Sequence, residues 1–190
     1  MKKRIFTAID ISEAARIKIS GFIENLRFDF PDVRVGWEKT EKLHLTLKFL
    51  GDTDEDQLAS LTEAVASTAK QISNFNLQIT GTGVFPSKRN ARILWLGVTD
   101  EQGILQNLNE ILESECESRG FAKENRNFKA HLTIGRLREP HKSKELIESH
   151  LEKDFTSDTF EVSEIVIYES RLQKTGSIYS VVSKHKLKEN

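Results

Sequence analysis

Cysteine is almost missing from this chain of 190 residues: Cys116 stands alone, so neither an intrachain disulfide nor a cysteine-based zinc site can form. A reducing compartment, the cytoplasm, is the expected home. Proline is nearly as scarce, and Pro31, Pro86 and Pro140 punctuate the chain without marking off a linker. No run approaches about 18 consecutive apolar residues, which excludes a spanning helix and leaves no membrane partner to expect. The basic opening Lys2-Lys3-Arg4 lacks the apolar stretch of an export signal, because Asp10, Glu13 and Arg16 interrupt the residues after it. Charge of one sign is also lacking. Lys plus Arg number 28 and Asp plus Glu 29, a net charge of −1, which argues against nucleic-acid binding by bulk electrostatics and leaves room for a local basic site.

What is present is enough for a core. Eleven Phe, two Trp and many Ile, Leu and Val are spread over the whole length, and a domain near this size hides roughly 70% of its unfolded surface. Arg4–Ile11 alternates and reads as a strand. Asp10 or Ser12 can cap the next segment, a helix whose apolar side is Ala15, Ile19, Phe22, Ile23 and Leu26. Short and long strands are predicted at Val35–Glu38 and Leu43–Leu50. A second helix begins after Asp54, with Leu58, Leu61, Val65, Ala69 and Ile72 on one side. Asn76–Val84 and Arg92–Val98 read as paired strands around a turn at Pro86–Asn90. A third helix starts near Asp100 and ends at Gly120, placing Cys116 on its buried stripe as an inert thiol. Ala130–Ile134 is a strand, Ser143–Leu151 a helix, and Phe160–Glu169 and Ser177–Ser183 are closing strands. The mixture predicts an α+β fold with mainly antiparallel sheets.

The order of elements repeats. Ile5–Val84 runs strand, helix, strand, helix, long strand, and Ile93–Tyr168 runs the same way. The clearest match is His44-Leu45-Thr46-Leu47 with His131-Leu132-Thr133-Ile134, 87 positions apart. Two copies predict two pseudo-symmetric lobes, each a sheet with helices on its outer face, around a central groove. The expectation is one domain over residues 1–190 with an internal repeat at about 4–85 and 92–170.

Side chains alternate along a strand, so His44 and Thr46 share a face, as do His131 and Thr133. The same alternation assigns Lys48 to the face of His44, lining the groove or exposed. Two imidazoles suit in-line displacement at phosphorus. One, neutral, takes a proton from the attacking oxygen, and the other, charged, gives one to the leaving oxygen; only histidine populates both forms near neutrality. The threonine hydroxyls can hold non-bridging oxygens. The scheme calls for no metal and no cofactor, and the motifs lack the second-ligand spacing of a metal site. Arg136 offers a planar fork for a phosphate or, alternatively, a solvent-facing ion pair. Lys88, Arg89 and Arg92 could track an RNA backbone or simply decorate a turn. Trp37, Phe49 and Phe85 could stack a base or fill the core. His141, His150 and His185 read as surface residues.

At these motifs the chain resembles the two-histidine (2H) phosphoesterase superfamily, in particular its LigT-like RNA 2′,3′-cyclic phosphodiesterase branch, whose hallmark is a pair of His-x-Thr/Ser-x motifs. Arg4–Asp10, Trp37 with Leu43–Gly51, Gly83–Pro86 with Leu94–Val98, and Glu169-Ser170 with Gly176 and Tyr179 extend the likeness over nearly the whole chain. Ala130 stands where the family often has proline, and Gly135-Arg136 where it commonly has Ala-Arg. The resemblance implies His44 as proton donor, His131 as proton acceptor, and Thr46 and Thr133 as phosphate ligands. It implies hydrolysis of RNA 2′,3′-cyclic phosphate ends to 2′-phosphomonoesters. The substrate would be RNA ends or small cyclic nucleotides, with no obligatory protein partner. Other cyclic or 2′–5′ linked nucleotides, 2′–5′ ligation, and a non-catalytic RNA-binding module remain as alternatives.

Overall fold

A computed structural model describes residues 2–173 and 176–189. Its strands are β1 (Lys3–Asp10), β2 (Val35–Trp37), β3 (His44–Thr53), β4 (Phe75–Phe85), β5 (Ile93–Thr99), β6 (His131–Leu137), β7 (Phe160–Val162), β8 (Glu164–Gln173) and β9 (Gly176–Lys186). Its helices are α1 (Glu13–Asp29), α2 (Glu55–Ala69), α3 (Ile104–Ser118) and α4 (Lys144–Glu152). Local chemistry sets the helix starts. Ser12, rather than Asp10, caps α1 by accepting from the Ala15 N–H. Asp54 and Gln57 form a reciprocal capping box on α2. Asp100 accepts the Leu105 N–H, while Gly103 supplies the left-handed residue (φ 67°) from which α3 begins.

The strands form two antiparallel sheets. The first has order β3-β1-β8-β9 and the second β2-β6-β5-β4-β7. The two lobes are therefore not the two halves of the sequence. Each half ends on a long strand that joins the other half's sheet: β4 pairs with β5, and β8 pairs with β1. The predicted strand Phe160–Glu169 is in fact two. Phe160–Val162 pairs with the edge of β4, and from Glu164 the chain crosses into the first sheet.

Helices cover the outer faces. Helix α3 packs on α2 and against β3. Helices α1 and α4 meet over the second sheet through Phe22 and His150, whose rings lie 5.9 Å apart edge to face. The core runs through both layers, with Ile5, Ile9, Leu45, Leu96, Leu108, Leu132 and Ile134 essentially inaccessible. Cys116 lies within it, fully buried, and burial pushes its thiol pKa up to about 11.

Candidate active site

The two histidine motifs occupy equivalent places. β3 pairs with β1, setting His44 opposite Asp10, and β6 pairs with β5, setting His131 opposite Gly97. In each motif the fourth residue is a bulge. Leu47 has no partner between Thr46↔Ala8 and Lys48↔Thr7, and Ile134 has none between Thr133↔Trp95 and Gly135↔Leu94. The extra residue reverses the alternation beyond it. Hence Phe49 and Arg136, each five positions past its histidine, return to the groove face, while Lys48 turns inward. The buried side of the first bulge is held from α3: the Asn109 amide donates to the Leu47 carbonyl at 2.9 Å, and Lys48 Nζ donates to Glu113 at 2.6 Å.

Lys48 is thus neither groove-lining nor exposed. It is 6% accessible and paired behind the strand. Phe49 is not core either; it is 52% exposed at the groove, with the Arg4 guanidinium 4.9 Å over its ring.

His44 and His131 line one groove of about 510 Å³, together with Thr46, Thr133 and Arg136. The five residues singled out from the sequence therefore come together. The rings are held alike: His44 Nδ1 donates to the Lys42 carbonyl at 2.6 Å, and His131 Nδ1 to the Lys129 carbonyl at 2.7 Å. A carbonyl cannot donate, so both Nδ1 atoms carry hydrogen and Nε2 is the nitrogen left for a ligand. His44 Nε2 lies 3.0 Å from the Thr46 hydroxyl.

Burial holds the His44 pKa below its ordinary value; the Lys42 carbonyl and the Asp10 charge oppose this, and Arg16 and Arg136 reinforce it. Burial likewise lowers the His131 pKa, opposed by the Lys129 carbonyl and reinforced by the Lys129 and Arg136 cations. Among the described residues, an anion therefore acts on His44 and none on His131. In the repeat, Asp10 corresponds to Gly97, which has no side chain to charge.

The groove is basic although the chain is nearly neutral. Among the described residues, Arg4, Lys39, Lys42, Arg136 and Arg138 line it against the single carboxylate of Glu38. Arg136 Nε sits 3.6 Å from Glu38. Trp37 also lines the groove, its ring lying where a Cβ on Gly135 would come within 3.0 Å. Phe85 supports His131 edge-on at 4.8 Å. Lys88, Arg89 and Arg92 are not among the lining residues. His150, read as a surface residue, is fully buried and its Nε2 donates to the Gly83 and Trp95 carbonyls.

Several groups at the site were given no role there from the sequence, although Tyr179 and the Arg4–Asp10 segment carried part of the resemblance. Phe6 stands 4.9 Å from the His44 ring and Tyr179 5.4 Å from it. The Tyr168 hydroxyl donates to both oxygens of Asp10, at 2.8 and 2.9 Å; burial, with that bond to Asp10, raises the Tyr168 pKa. Lys42 and Lys129 supply the carbonyls that orient the rings. Their only sequence signal was position, two residues before each histidine. Asp10 and Tyr168 had none for a role there, since cross-strand register is not visible in one chain's pattern.

Duplicated imidazole-hydroxyl strands from two sheets opening on one basic groove define the class, a two-histidine phosphoesterase. Residues 16–174 match the 2′-5′ RNA ligase superfamily. The chain is 34% identical over 181 residues to an RNA 2′,3′-cyclic phosphodiesterase of Methanothermobacter thermautotrophicus, covering 95% of this chain and 96% of that one. It is 34% identical over 180 residues to the enzyme of the same name from Thermotoga maritima, covering 94% and 92%. Its fold is similar to that of Escherichia coli LigT in apo form, with a TM-score of 0.77, 23% identity and 98% of each chain covered. The chain belongs to the 2′-5′ RNA ligase superfamily, among the two-histidine phosphoesterases. Among the described residues, no helix is long and apolar enough to cross a membrane.

Proposed function

We propose that residues 1–190 act as one phosphoesterase domain, an RNA 2′,3′-cyclic phosphodiesterase that hydrolyses cyclic phosphate ends to 2′-phosphomonoesters in the cytoplasm. The observation that carries this reading is the convergence of both histidine-threonine pairs on a single basic groove. The relatives that match nearly end to end bear that activity in their names.

In the proposed reaction, neutral His131 Nε2 removes a proton from water as its oxygen bonds to phosphorus. The P–O3′ bond breaks in line, and protonated His44 gives its Nε2 proton to the departing O3′. The phosphate stays on O2′, and the proton gained by His131 returns the pair to its starting charge after exchange with solvent. Arg136 acts on both rings in the same direction. The charges that distinguish them are Asp10, which favours the imidazolium at His44 against Arg16, and Lys129, which favours neutral His131; this difference supports the assigned polarity. Thr46, Thr133 and Arg136 hold the non-bridging oxygens, where charge grows in the transition state.

The test is incubation with an RNA oligonucleotide ending in a 2′,3′-cyclic phosphate, in the presence of EDTA, with the product phosphate located by phosphorus NMR. A 2′-phosphomonoester carrying one solvent oxygen is expected. No turnover, or a requirement for added metal, overturns the proposal; a 3′-phosphomonoester overturns the choice of leaving oxygen.

A further inference from the structure

A second hollow, about 830 Å³, lies beside the groove on the other side of β2, a size that takes ligands of nucleotide dimensions. The two share Gly36, Trp37 and Arg138, so they are continuous across the strand. Gly36 makes the join possible: a Cβ there would meet the Arg138 guanidinium at 2.8 Å, so the arginine lies flat over the strand between both spaces.

The lining combines cations with aromatic rings. Arg27 from the last turn of α1, Arg34 and Arg138 form no ion pair among the described residues. Arg4, Arg89 and Arg92 likewise form none, so what marks the hollow is the clustering of three such guanidiniums along one lining. The same hollow is lined by Phe28, 85% exposed, and by the half-buried Phe30. Among the described residues, Glu24 is the one carboxylate along the hollow. Clustered cations with aromatic rings along the same hollow are what a single nucleic-acid strand needs, phosphates meeting the arginines and bases stacking on the aromatics.

Position supplies the second argument. An RNA whose 3′ terminal cyclic phosphate sits between the histidines can leave the groove only through its 5′ side, and it carries one negative charge per nucleotide along the way. We propose that the Arg27–Phe28–Arg34 hollow is a subsite for the nucleotides 5′ of the reacting one, so that the substrate is an RNA strand several nucleotides long and not a lone cyclic nucleotide. This rests on the reading of the groove as the phosphodiesterase centre.

The experiment compares a cyclic-phosphate-ended hexanucleotide with a 2′,3′-cyclic mononucleotide in the wild type and in Arg27→Ala/Arg34→Ala. Neither arginine lines the histidine groove. The double variant should lose about tenfold or more in kcat/KM on the hexanucleotide, through KM, and keep mononucleotide turnover within about twofold. Its dependence of log(kcat/KM) on log salt should flatten by about 1.4, at about 0.7 for each phosphate contact to a single strand. Phe28→Ala should weaken the hexanucleotide about fivefold or more. Unchanged hexanucleotide kinetics, or equal losses on both substrates, overturn the subsite. A parallel arm measures binding of an inert hexanucleotide ending in a 3′-phosphate by fluorescence anisotropy. Should the wild type turn over neither substrate, the catalytic reading falls and this arm decides the subsite alone. Weaker binding by the double variant supports it, while unchanged binding, or preference for an oligo-glutamate peptide, overturns it.

Discussion

Replacing Lys48 by Met takes away the cation that faces Glu113 behind the His44 strand. The pair is well removed from water, with 5% and 11% of the two side chains exposed and Nζ 2.6 Å from the carboxylate. Lys48 Nζ also donates to the Ala122 carbonyl at 3.0 Å, and Glu113 accepts the Glu124 N–H at 3.2 Å. Breaking such a pair from one side costs about 3–5 kcal/mol, because the surviving charge stays buried without its counterion. Methionine keeps most of the stem's packing, so the loss reports the charge. Against a total stability of about 5–15 kcal/mol this is large, and at about 2–4 °C per kcal/mol for a chain of this size it lowers the melting temperature by roughly 6–20 °C. Lys48→Met/Glu113→Leu should recover most of the loss, since an apolar pair of similar volume is often neutral or better. Urea and thermal unfolding of both single variants and the double variant give the coupling free energy. A Lys48→Met variant within about 0.5 kcal/mol of the wild type, or a double variant whose loss equals the sum of the singles, would refute the buried-pair argument and with it the bulge that turns Lys48 inward.

Three further expected outcomes concern the site, and a fourth the buried His150. His44→Ala and His131→Ala should each lose at least about 10²-fold in kcat on a cyclic phosphate, yet on a nucleoside 2′-(4-nitrophenyl phosphate), whose leaving group departs without a proton, only His131→Ala should stay impaired; equal losses would refute the assigned roles. Because both histidine pKa values lie below the ordinary imidazole value, kcat/KM in the free enzyme should peak on the acid side of neutrality and fall by about tenfold per pH unit once both are neutral; a rate that is flat or rising from pH 7 to about 8.5 would contradict this. Asp10→Asn removes the charge that opposes the lowering at His44, so the alkaline limb should move to lower pH while the acid limb stays; a move of about half to one pH unit is about 0.7–1.4 kcal/mol, or about three- to tenfold in kcat/KM at pH 7.5. Burial lowers the pKa of His150, so the unfolded chain binds a proton first and stability declines as pH falls below about 6.5; His150→Gln should make the melting temperature less sensitive to pH between about 6.5 and 5.

The elements and their order were legible because each rests on local signals: the apolar side of α1 at Ala15, Ile19, Ile23 and Leu26, the Asp54 cap, and the alternation around His44 and His131. The two histidines of the proposed reaction were legible for a different reason, that a rare pair of matching patterns recurred at matching points of a repeat. Phe160–Glu169 was misread as one strand because both its parts have strand character; the break at Ser163 is a change of partner, which no local pattern encodes. His150 was misread because a lone histidine on a helix carries no sign that its ring will reach the carbonyls of Gly83 and Trp95.

By itself the sequence determined the chemistry available: two imidazoles, two hydroxyls and an arginine carried on strands whose apolar neighbours would anchor them. Only the tertiary structure decided where those groups meet. It exchanged the long strands between halves, so that the lobes face one another. It also placed a bulge after each motif, which turned Arg136 and Phe49 toward the groove and Lys48 away from it, and it set Asp10 beside one histidine with Gly97 beside the other. The reason is physical: alternation and helical spacing are properties of neighbours along the chain, whereas register, bulges and the field at a buried ring depend on which strand lies alongside.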